Sequence, residues 1–173
     1  MNSPSSVADP QALAKLRGLI KDVTVAMVVT VGIDGALHSR PMATREIEPD
    51  GTLWFFTADD SLKAREIADE HQVNVVYADP RQQKYVSVSG TATIVRDPEK
   101  NRQLWIPMAK VFFPHGADDP RLALLRIQVE SAEYWDAPAN RMVQLFQLAR
   151  AAFAGDAEPI GDHQRVDLPR FTD

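Results

Sequence analysis

Cysteine is absent from this chain of 173 residues. Its absence excludes a disulfide framework, a thiolate nucleophile and a thiolate metal site, so nothing indicates an oxidising compartment. Histidine is scarce, and the four histidines show no metal-ligand spacing, so no metal site is expected. The sequence also contains no Gly-x-Ser-x-Gly elbow and no glycine-rich phosphate loop. These absences argue against thiol, serine-hydrolase and P-loop chemistry.

An excess of basic residues and a long apolar run are missing as well. The formal net charge is -5 and the sequence pI is about 5.4, whereas nucleic acid and acidic lipid attract basic surfaces. The longest largely apolar run, Val25 to Val31, is far too short to span a bilayer. Residues 1–9 lack the basic and apolar segments of a signal peptide. We therefore expect a cytoplasmic protein with no nucleic-acid partner and no membrane partner.

Hydrophobic residues, at 45%, and charged residues, at 25%, are present in the proportions of a folded globular protein. A chain of this length can bury a normal core within one domain. We predict a single domain over residues 1–155, which begins with a helix from Pro10 to Lys21 because Asp9 and Pro10 form a helix-start signal. Residues 156–173 are polar and contain proline, and we predict a C-terminal tail that is loose at its end.

Short β-branched and apolar runs, several of them joined by glycine-containing turns, predict strands. The predicted strands are Val25–Val31, Ala36–Ile47, Thr52–Thr57, Val73–Ala78, Tyr85–Val95 and Leu122–Trp135. Helical patterns are fewer. After the first helix, the predicted helices are a short one capped by Asp59 or Asp60, one from Asp97 through Met108, and one from Asn140 to Phe153. This pattern predicts a mainly β protein with flanking helices, in which the strands form a barrel rather than a parallel sheet.

Two segments predict an anion-binding site. Arg40 leaves the first hairpin, and Pro41 suits a strand edge that a ligand can approach. Thr57, Ser61 and Lys63 follow the next strand, at the start of a predicted helix. An arginine, two hydroxyls, an ammonium group and free helix amides supply the charge-assisted donors that a terminal phosphate needs. Each of these residues alone is more often an ordinary surface group, so the prediction depends on their combination.

These two segments resemble the flavin-binding split barrels related to pyridoxamine 5'-phosphate oxidase, and in particular their general stress protein branch. The resemblance covers roughly Leu13 to Val143. It implies a homodimeric split β-barrel that binds FMN in two clefts between the subunits, with FAD as the alternative flavin. The phosphate contacts that it implies are Arg40, Ser61 and Lys63. The contacts that it implies for the ribityl chain and the flavin ring are Met42, Phe56 and Thr57.

Five further residues match the family less closely. Tyr85 begins a strand similar to the one that reaches the flavin of the other subunit, and Trp135 belongs to an aromatic pair similar to the one that closes the flavin site. Trp105 belongs to an aromatic cluster that resembles the general stress branch, and it is a candidate to reach over the flavin ring. His38 precedes Arg40 on the same strand, and Arg45 lies where the family often has a basic residue. For Arg45 the alternative to a binding role is an ordinary surface charge. For the other four residues it is ordinary packing.

The C-terminal part departs from genuine pyridoxamine 5'-phosphate oxidases. The segments Glu133-Tyr134-Trp135 and Asn140-Arg141-Met142 resemble their closing signature. Val143 and Leu145, however, stand where that signature has a histidine and a second arginine. Each buried polar group of the substrate left without a partner costs about 1–3 kcal/mol, so we do not expect oxidation of pyridoxamine phosphate.

The function implied by the resemblance is a flavin-dependent oxidoreductase that passes electrons between a reduced nicotinamide and a small acceptor. The sequence assigns no catalytic acid or base. A protein that binds or sequesters flavin without turnover is the alternative. Deazaflavin or haem is a further alternative ligand, because related barrels have changed ligand.

Overall fold

A computed structural model describes residues 10–136 and the backbone of residues 163–167. The first described element is helix α1, Pro10–Ile20, whose bounds are close to those predicted from the sequence. The apolar side chains of α1 recur at helical spacing and join the same core cluster as the strands. The buried residues of α1 are Leu13, Leu16, Leu19 and Ile20. Helix α1 therefore packs against the sheet through one apolar face.

In the described part of the chain, seven strands form a single antiparallel sheet. They are β1 (Val25–Val31), β2 (Leu37–Ile47), β3 (Leu53–Ala58), β4 (Gln72–Asp79), β5 (Lys84–Val95), β6 (Leu122–Asp136) and β7 (His163–Asp167). Neighbouring strands pair in the order β3-β2-β1-β4-β5-β6-β7, and β3 pairs with β6 as well. This last pairing closes β1 to β6 into a six-stranded barrel, which removes the sheet edges at its seam. The predicted mainly β barrel with few helices is confirmed.

Strand β6 changes its partner along one edge. Its residues Leu122–Ile127 pair with β3, whereas Ser131–Trp135 pair with β7. Strand β7 lies within residues 156–173, which were predicted as a C-terminal tail without a strand, so the prediction missed five residues that belong to the sheet. The reason is that their sequence, His-Gln-Arg-Val-Asp, has a single β-branched residue and no apolar alternation.

Gly90 allows β5 and β6 to approach closely where their register shifts. The shift falls between Ser89 and Gly90. A Cβ atom at Gly90 would lie 2.2 Å from the carbonyl oxygen of Gln128 and 3.2 Å from the Cα atom of Val129. Because both of these atoms belong to the backbone, no side-chain adjustment relieves the contact. The position therefore requires glycine.

The core fills the barrel, and alternate residues of β1, β4 and β5 are buried in it. On β1, Ala26 and Val28 are buried, whereas Val25 and Met27 point outward and are 52% and 39% exposed. Tyr77 and Phe55 are the largest side chains that are almost fully buried. The apolar residues on the outer side of β1 lie outside this core.

Helix α2, Leu62–Asp69, follows β3 and begins at Ser61 rather than at Asp59 or Asp60. Ser61 has extended backbone angles, and its Oγ accepts a hydrogen bond from the amide of Ala64 at 3.3 Å. The carboxylate of Asp59 is instead paired with Arg96. The prediction of an aspartate cap was therefore wrong, because the Asp59 side chain pairs with Arg96, the residue that follows β5.

Helix α3 spans only Pro98–Leu104, and a 3-10 helix spans Pro107–Val111. The predicted continuous helix through Met108 was therefore wrong. Pro107 has no amide hydrogen and disfavours the helical conformation of the residue before it, and Ile106 is accordingly extended. The predicted helix from Asn140 to Phe153 lies outside the described residues. Among the described helices, none combines the length and the apolar character needed to span a bilayer.

Candidate functional site

A cavity of about 460 Å³, the main cavity, opens between β2, β3, the first turn of α2 and the segment over residues 106–113. Its volume is within the range of small-molecule and cofactor sites. Four of its lining residues carry a positive charge, and none of the described lining residues is acidic. The cations are Arg40, Arg45, Lys63 and Arg121. Because the whole chain has a net charge of -5, this concentration of positive charge is local and favours an anionic ligand.

The rest of the cavity wall is mostly apolar. Aromatic and aliphatic side chains from β2, β3 and the 3-10 segment line it, including Met42, Phe56, Ile106 and Phe113. The ring of Phe56 packs against that of Phe113 at a centroid distance of 6.4 Å, in an edge-on arrangement. A cavity with an apolar wall and one cluster of cations suits a flat apolar ring that carries an anionic group.

Apart from Arg45, ten residues were predicted to bind a cofactor, and five of them line this cavity. They are Arg40, Met42, Phe56, Thr57 and Lys63. The two sequence segments that suggested an anion site thus meet in one place. The roles of these residues in binding stay predictions.

Three more of the predicted residues surround the cavity without lining it. The Oγ atom of Ser61 lies 3.4 Å from the Oγ1 atom of Thr57. The ring of Trp105 packs on Phe56 with the ring centroids 5.9 Å apart, so Trp105 supports the aromatic wall from behind. His38 lies on the same face of β2 as Arg40 but is connected to it only through a shared carboxylate.

Tyr85 and Trp135 lie elsewhere. They pair directly with each other across β5 and β6, and neither lines the main cavity. Trp135 is 40% exposed. In the geometry of a single chain these two residues are therefore separate from the candidate site.

Glu66, in the middle of α2, joins that helix to Arg40 and His38. Its carboxylate is 4% exposed and accepts a hydrogen bond from Arg40 Nη2 at 2.8 Å. Thr30 Oγ1 donates to the same carboxylate at 2.6 Å and accepts from Arg40 Nη1 at 2.6 Å. His38 Nδ1 lies 2.6 Å from the other carboxylate oxygen. This network fixes the Arg40 guanidinium while leaving some of its donors for a ligand.

Burial and charge shift the pKa values of Glu66 and Lys63. Burial acts to raise the pKa of Glu66, but hydrogen bonds from Thr30, His38 and Arg40 and the Arg40 charge outweigh it, so the pKa is lowered. The pKa of Lys63 is lowered by burial and by the nearby Arg40 charge, against the opposing effect of Glu66. Lys63 makes no ion pair with the described residues, so an anionic ligand would restore a favourable environment for its charge.

Glu66→Gln is expected to lower the free energy of unfolding near neutral pH by about 2 kcal/mol, because it removes hydrogen bonds to a charged group. The folded-state pKa of Glu66 is lowered, so its stabilising contribution is present above its ordinary pKa of 4.5 and is lost as the pH falls below it. Urea unfolding at neutral pH and in acid should therefore show the two proteins converging in acid. Asp69→Asn, an exposed change in α2, is the control. A pH-independent difference would contradict the assignment.

Arg45 lies at an irregularity in β2. The register between β2 and β3 shifts between Thr44 and Glu46, so Arg45 has no opposite residue on β3 and its side chain is redirected. Its guanidinium carbon lies 5.8 Å from the centroid of the Phe56 ring. Its Nε atom is buried without a hydrogen-bond partner among the described residues, and burial lowers its pKa. Arg45 also lines a second cavity of about 410 Å³ beside α1.

Sequence reasoning missed Glu66 and Arg121. No sequence signal marks Glu66, because an acidic residue on a helix is usually exposed and Glu66 is buried here through its partners Thr30, His38 and Arg40. No sequence signal marks Arg121, which reaches the cavity only because β6 pairs with the end of β3. Within residues 10–136, no cluster of three or more histidine or acidic side chains forms a metal site.

A family model described as pyridoxamine 5'-phosphate oxidase like matches residues 11–158. Over 130 residues the chain is 28% identical to Protein bli-3 of Neurospora crassa; the match covers 70% of this chain and 62% of that protein, which is less than two thirds of its length. General Stress Protein 26 from Bacillus anthracis str. Sterne has a similar structure, with 24% identity, a TM-score of 0.65 and coverage of 72% of this chain and 93% of that chain. The general stress FMN/FAD binding protein from Xanthomonas citri is 26% identical, with a TM-score of 0.65 and coverage of 76% and 92%, respectively.

Proposed function

The chain belongs to the pyridoxamine 5'-phosphate oxidase like family, and from that membership we propose that it binds FMN in the main cavity. One observation carries the proposal. The cavity joins an apolar, partly aromatic wall to four cations, with no acidic residue in the described lining, in a protein of net charge -5. A flavin mononucleotide has the matching parts, a flat ring and a terminal phosphate.

The residues present fit the two ends of this cofactor. Lys63 and the remaining donors of Arg40 would hold the phosphate, together with the hydroxyls of Thr57 and Ser61. Met42 and Phe56 would lie against the ring system, as their place in the apolar wall allows. When bound, the flavin supplies the redox chemistry, and the chain supplies position, charge and exclusion of water.

For the activity, we propose a flavin-dependent oxidoreductase that accepts electrons from a reduced nicotinamide. The second candidate is a protein that binds flavin without turnover, and a specific observation favours it. The described cavity lining contains no carboxylate and no imidazole, and its one lysine, Lys63, is assigned to the phosphate. The name of the Xanthomonas citri relative, an FMN/FAD binding protein, agrees with this candidate.

An absorption spectrum of the protein, loaded with FMN and freed of excess flavin, tests the proposal. Flavin bands at about one per chain are expected. Anaerobic addition of NADH or NADPH then separates the candidates: repeated bleaching with an added acceptor supports the oxidoreductase, and bound flavin that stays oxidised supports the binding protein. Pyridoxamine phosphate is expected to give no pyridoxal phosphate, which tests the prediction from Val143 and Leu145, residues outside the described part. A protein that binds neither FMN nor FAD would overturn the proposal.

We also propose that the protein is a homodimer that uses the outer side of β1. Val25 and Met27 are exposed there, and Leu37, which pairs with Val31 at the other end of β1, is 71% exposed. Exposed apolar surface of this kind marks protein interaction sites. In such a dimer, Tyr85 and Trp135 would be available to the site of the partner subunit, as the family resemblance implies.

Met27→Lys is expected to weaken the dimer about 100-fold, because an unpaired charge would be buried in the interface. Size-exclusion chromatography with light scattering should then show the mass of one chain at concentrations where the unmodified protein shows two. Ile33→Lys is the matched control, since Ile33 lies in the hairpin turn and is 94% exposed. An unchanged dimer in Met27→Lys would rule out this face.

A further inference from the structure

Arg121 lies at the same end of the main cavity as the residues proposed to hold the flavin phosphate. Its carbonyl oxygen accepts a hydrogen bond from the amide of Asp59 at 3.0 Å, in the turn that connects β3 to α2. Lys63 lies in the first turn of α2, and both Lys63 and Arg121 line the cavity. The backbone thus holds Arg121 beside the phosphate-binding turn.

The guanidinium of Arg121 is only partly engaged by the protein. Nη2 donates to the carbonyl oxygen of Phe112 at 3.3 Å, and Nε lies 4.0 Å from Oδ1 of Asp119. The buried Asp119 carboxylate already accepts hydrogen bonds from the amides of His115 and Arg121. The Arg121 side chain is 52% exposed. Most of its five N–H donors therefore remain for a ligand that reaches the mouth of the cavity.

A single phosphate does not account for this cation. Arg40 and Lys63, with the nearby hydroxyls of Thr57 and Ser61, already supply enough donors for one terminal phosphate. Arg121 adds a further positive charge on the solvent side of the same turn. Two acidic residues stand in that turn: Asp59 pairs with Arg96, Asp60 is exposed, and neither lines the cavity. The arrangement is suited to a second phosphate that is joined to the first through a bridging oxygen.

Phe112 supplies an aromatic surface next to Arg121. Its carbonyl group is the acceptor that holds the Arg121 guanidinium, and its side chain lines the cavity while being 71% exposed. A nucleobase stacks well on an exposed aromatic ring whatever the base, with a contribution of about tenfold or more in affinity. A cation and an aromatic ring at adjacent positions match the phosphate and the base of a nucleotide.

We propose that Arg121 and Phe112 form a second subsite, which binds the adenylate half of a flavin dinucleotide. The subsite rests on the proposed flavin function of the main cavity and makes FAD the preferred flavin. FMN fills the first part of the site and leaves the subsite empty. Arg121 contacts the second phosphate, and Phe112 stacks on the adenine.

Titration of the full chain with riboflavin, FMN and FAD, followed by quenching of flavin fluorescence, tests the subsite. FAD is expected to bind about tenfold more tightly than FMN, because it gains a charge-assisted contact and a stacked base. Arg121→Gln should weaken FAD binding about tenfold more than it weakens FMN binding, and Phe112→Leu should remove part of the preference for FAD. Arg121→Lys, which keeps the charge, should retain a preference for FAD even if the glutamine variant folds poorly.

Arg102→Gln is the matched control, because Arg102 is exposed, pairs with Asp118 and does not line the main cavity. It should leave all three affinities unchanged. Equal losses of FMN and FAD in Arg121→Gln would overturn the subsite, since Arg121 would then belong to the first phosphate. An absent preference for FAD in the unmodified chain would also overturn it. Failure to bind any of the three flavins would instead overturn the proposed function, and the subsite with it.

Discussion

Replacing Arg40 and Lys63 together by alanine is expected to weaken FMN binding by at least about 100-fold and to change riboflavin binding by less than about fivefold. Hydrogen bonds to charged groups contribute about 1.5–3 kcal/mol each, so two lost contacts amount to about 3–6 kcal/mol. Riboflavin carries the same ring and ribityl chain but no phosphate. The ratio of the two dissociation constants therefore isolates the phosphate contacts, and titration monitored by flavin fluorescence measures it.

The geometry makes this difference specific. Lys63 has no carboxylate partner among the described residues, whereas Arg40 is held by Glu66 and Thr30 and faces the same cavity. Arg65→Ala is the control, because Arg65 lies on the same helix and donates to the carbonyl of Asp60 outside the cavity. Similar losses for FMN and riboflavin would show that the two cations stabilise the site as a whole rather than a phosphate.

Gly90→Ala is expected to lower the free energy of unfolding by about 3 kcal/mol or more, the upper part of the range for overpacked positions. The added Cβ would meet the Gln128 carbonyl oxygen at 2.2 Å, so β5 and β6 would have to separate at their register shift. For a chain of this size, the loss corresponds to a melting temperature lower by about 6–12 °C. Thermal unfolding followed by circular dichroism measures it.

Gly18→Ala provides the same substitution in the opposite environment. Gly18 lies within α1, and a Cβ atom there would meet no other atom within 4 Å. Alanine is favoured over glycine in a helix by about 1 kcal/mol, so this variant should be slightly more stable than the unmodified chain. If both variants behaved alike, crowding at Gly90 would be the wrong explanation.

Much of the fold could be predicted because local patterns and tertiary structure agree. The alternation and turns that predict β1 to β5 place nearly the same residues in strands, and the errors concern helix ends and the missed strand β7. Ser61 caps α2 because Asp59 pairs with Arg96, and such a contact between distant residues leaves no local pattern. Pro107 did carry a local signal. Proline disfavours the helical conformation of the residue before it, and Ile106 is extended in the structure.

The candidate site could be predicted in part, for a similar reason. Arg40, Thr57 and Lys63 were found because hydroxyl and cationic residues beside a helix start form a pattern that can be read from the chain. Arg121 could not be found in this way, because only the pairing of β6 with β3 brings it to the cavity. Tyr85 and Trp135 lie away from the cavity of their own chain, so their proposed role depends on a second subunit.

The pairing of β3 with β6 also determines when the cavity can form during folding. One wall of the cavity consists of residues from β2 and β3, and the other includes Ile106 and Arg121, which precede β6. These parts are distant in sequence, and contacts between distant segments form slowly because the intervening chain must lose entropy first. A refolding chain should therefore acquire its ligand site in one of its last steps. Recovery of ligand binding would then report completed barrel closure rather than the formation of individual strands.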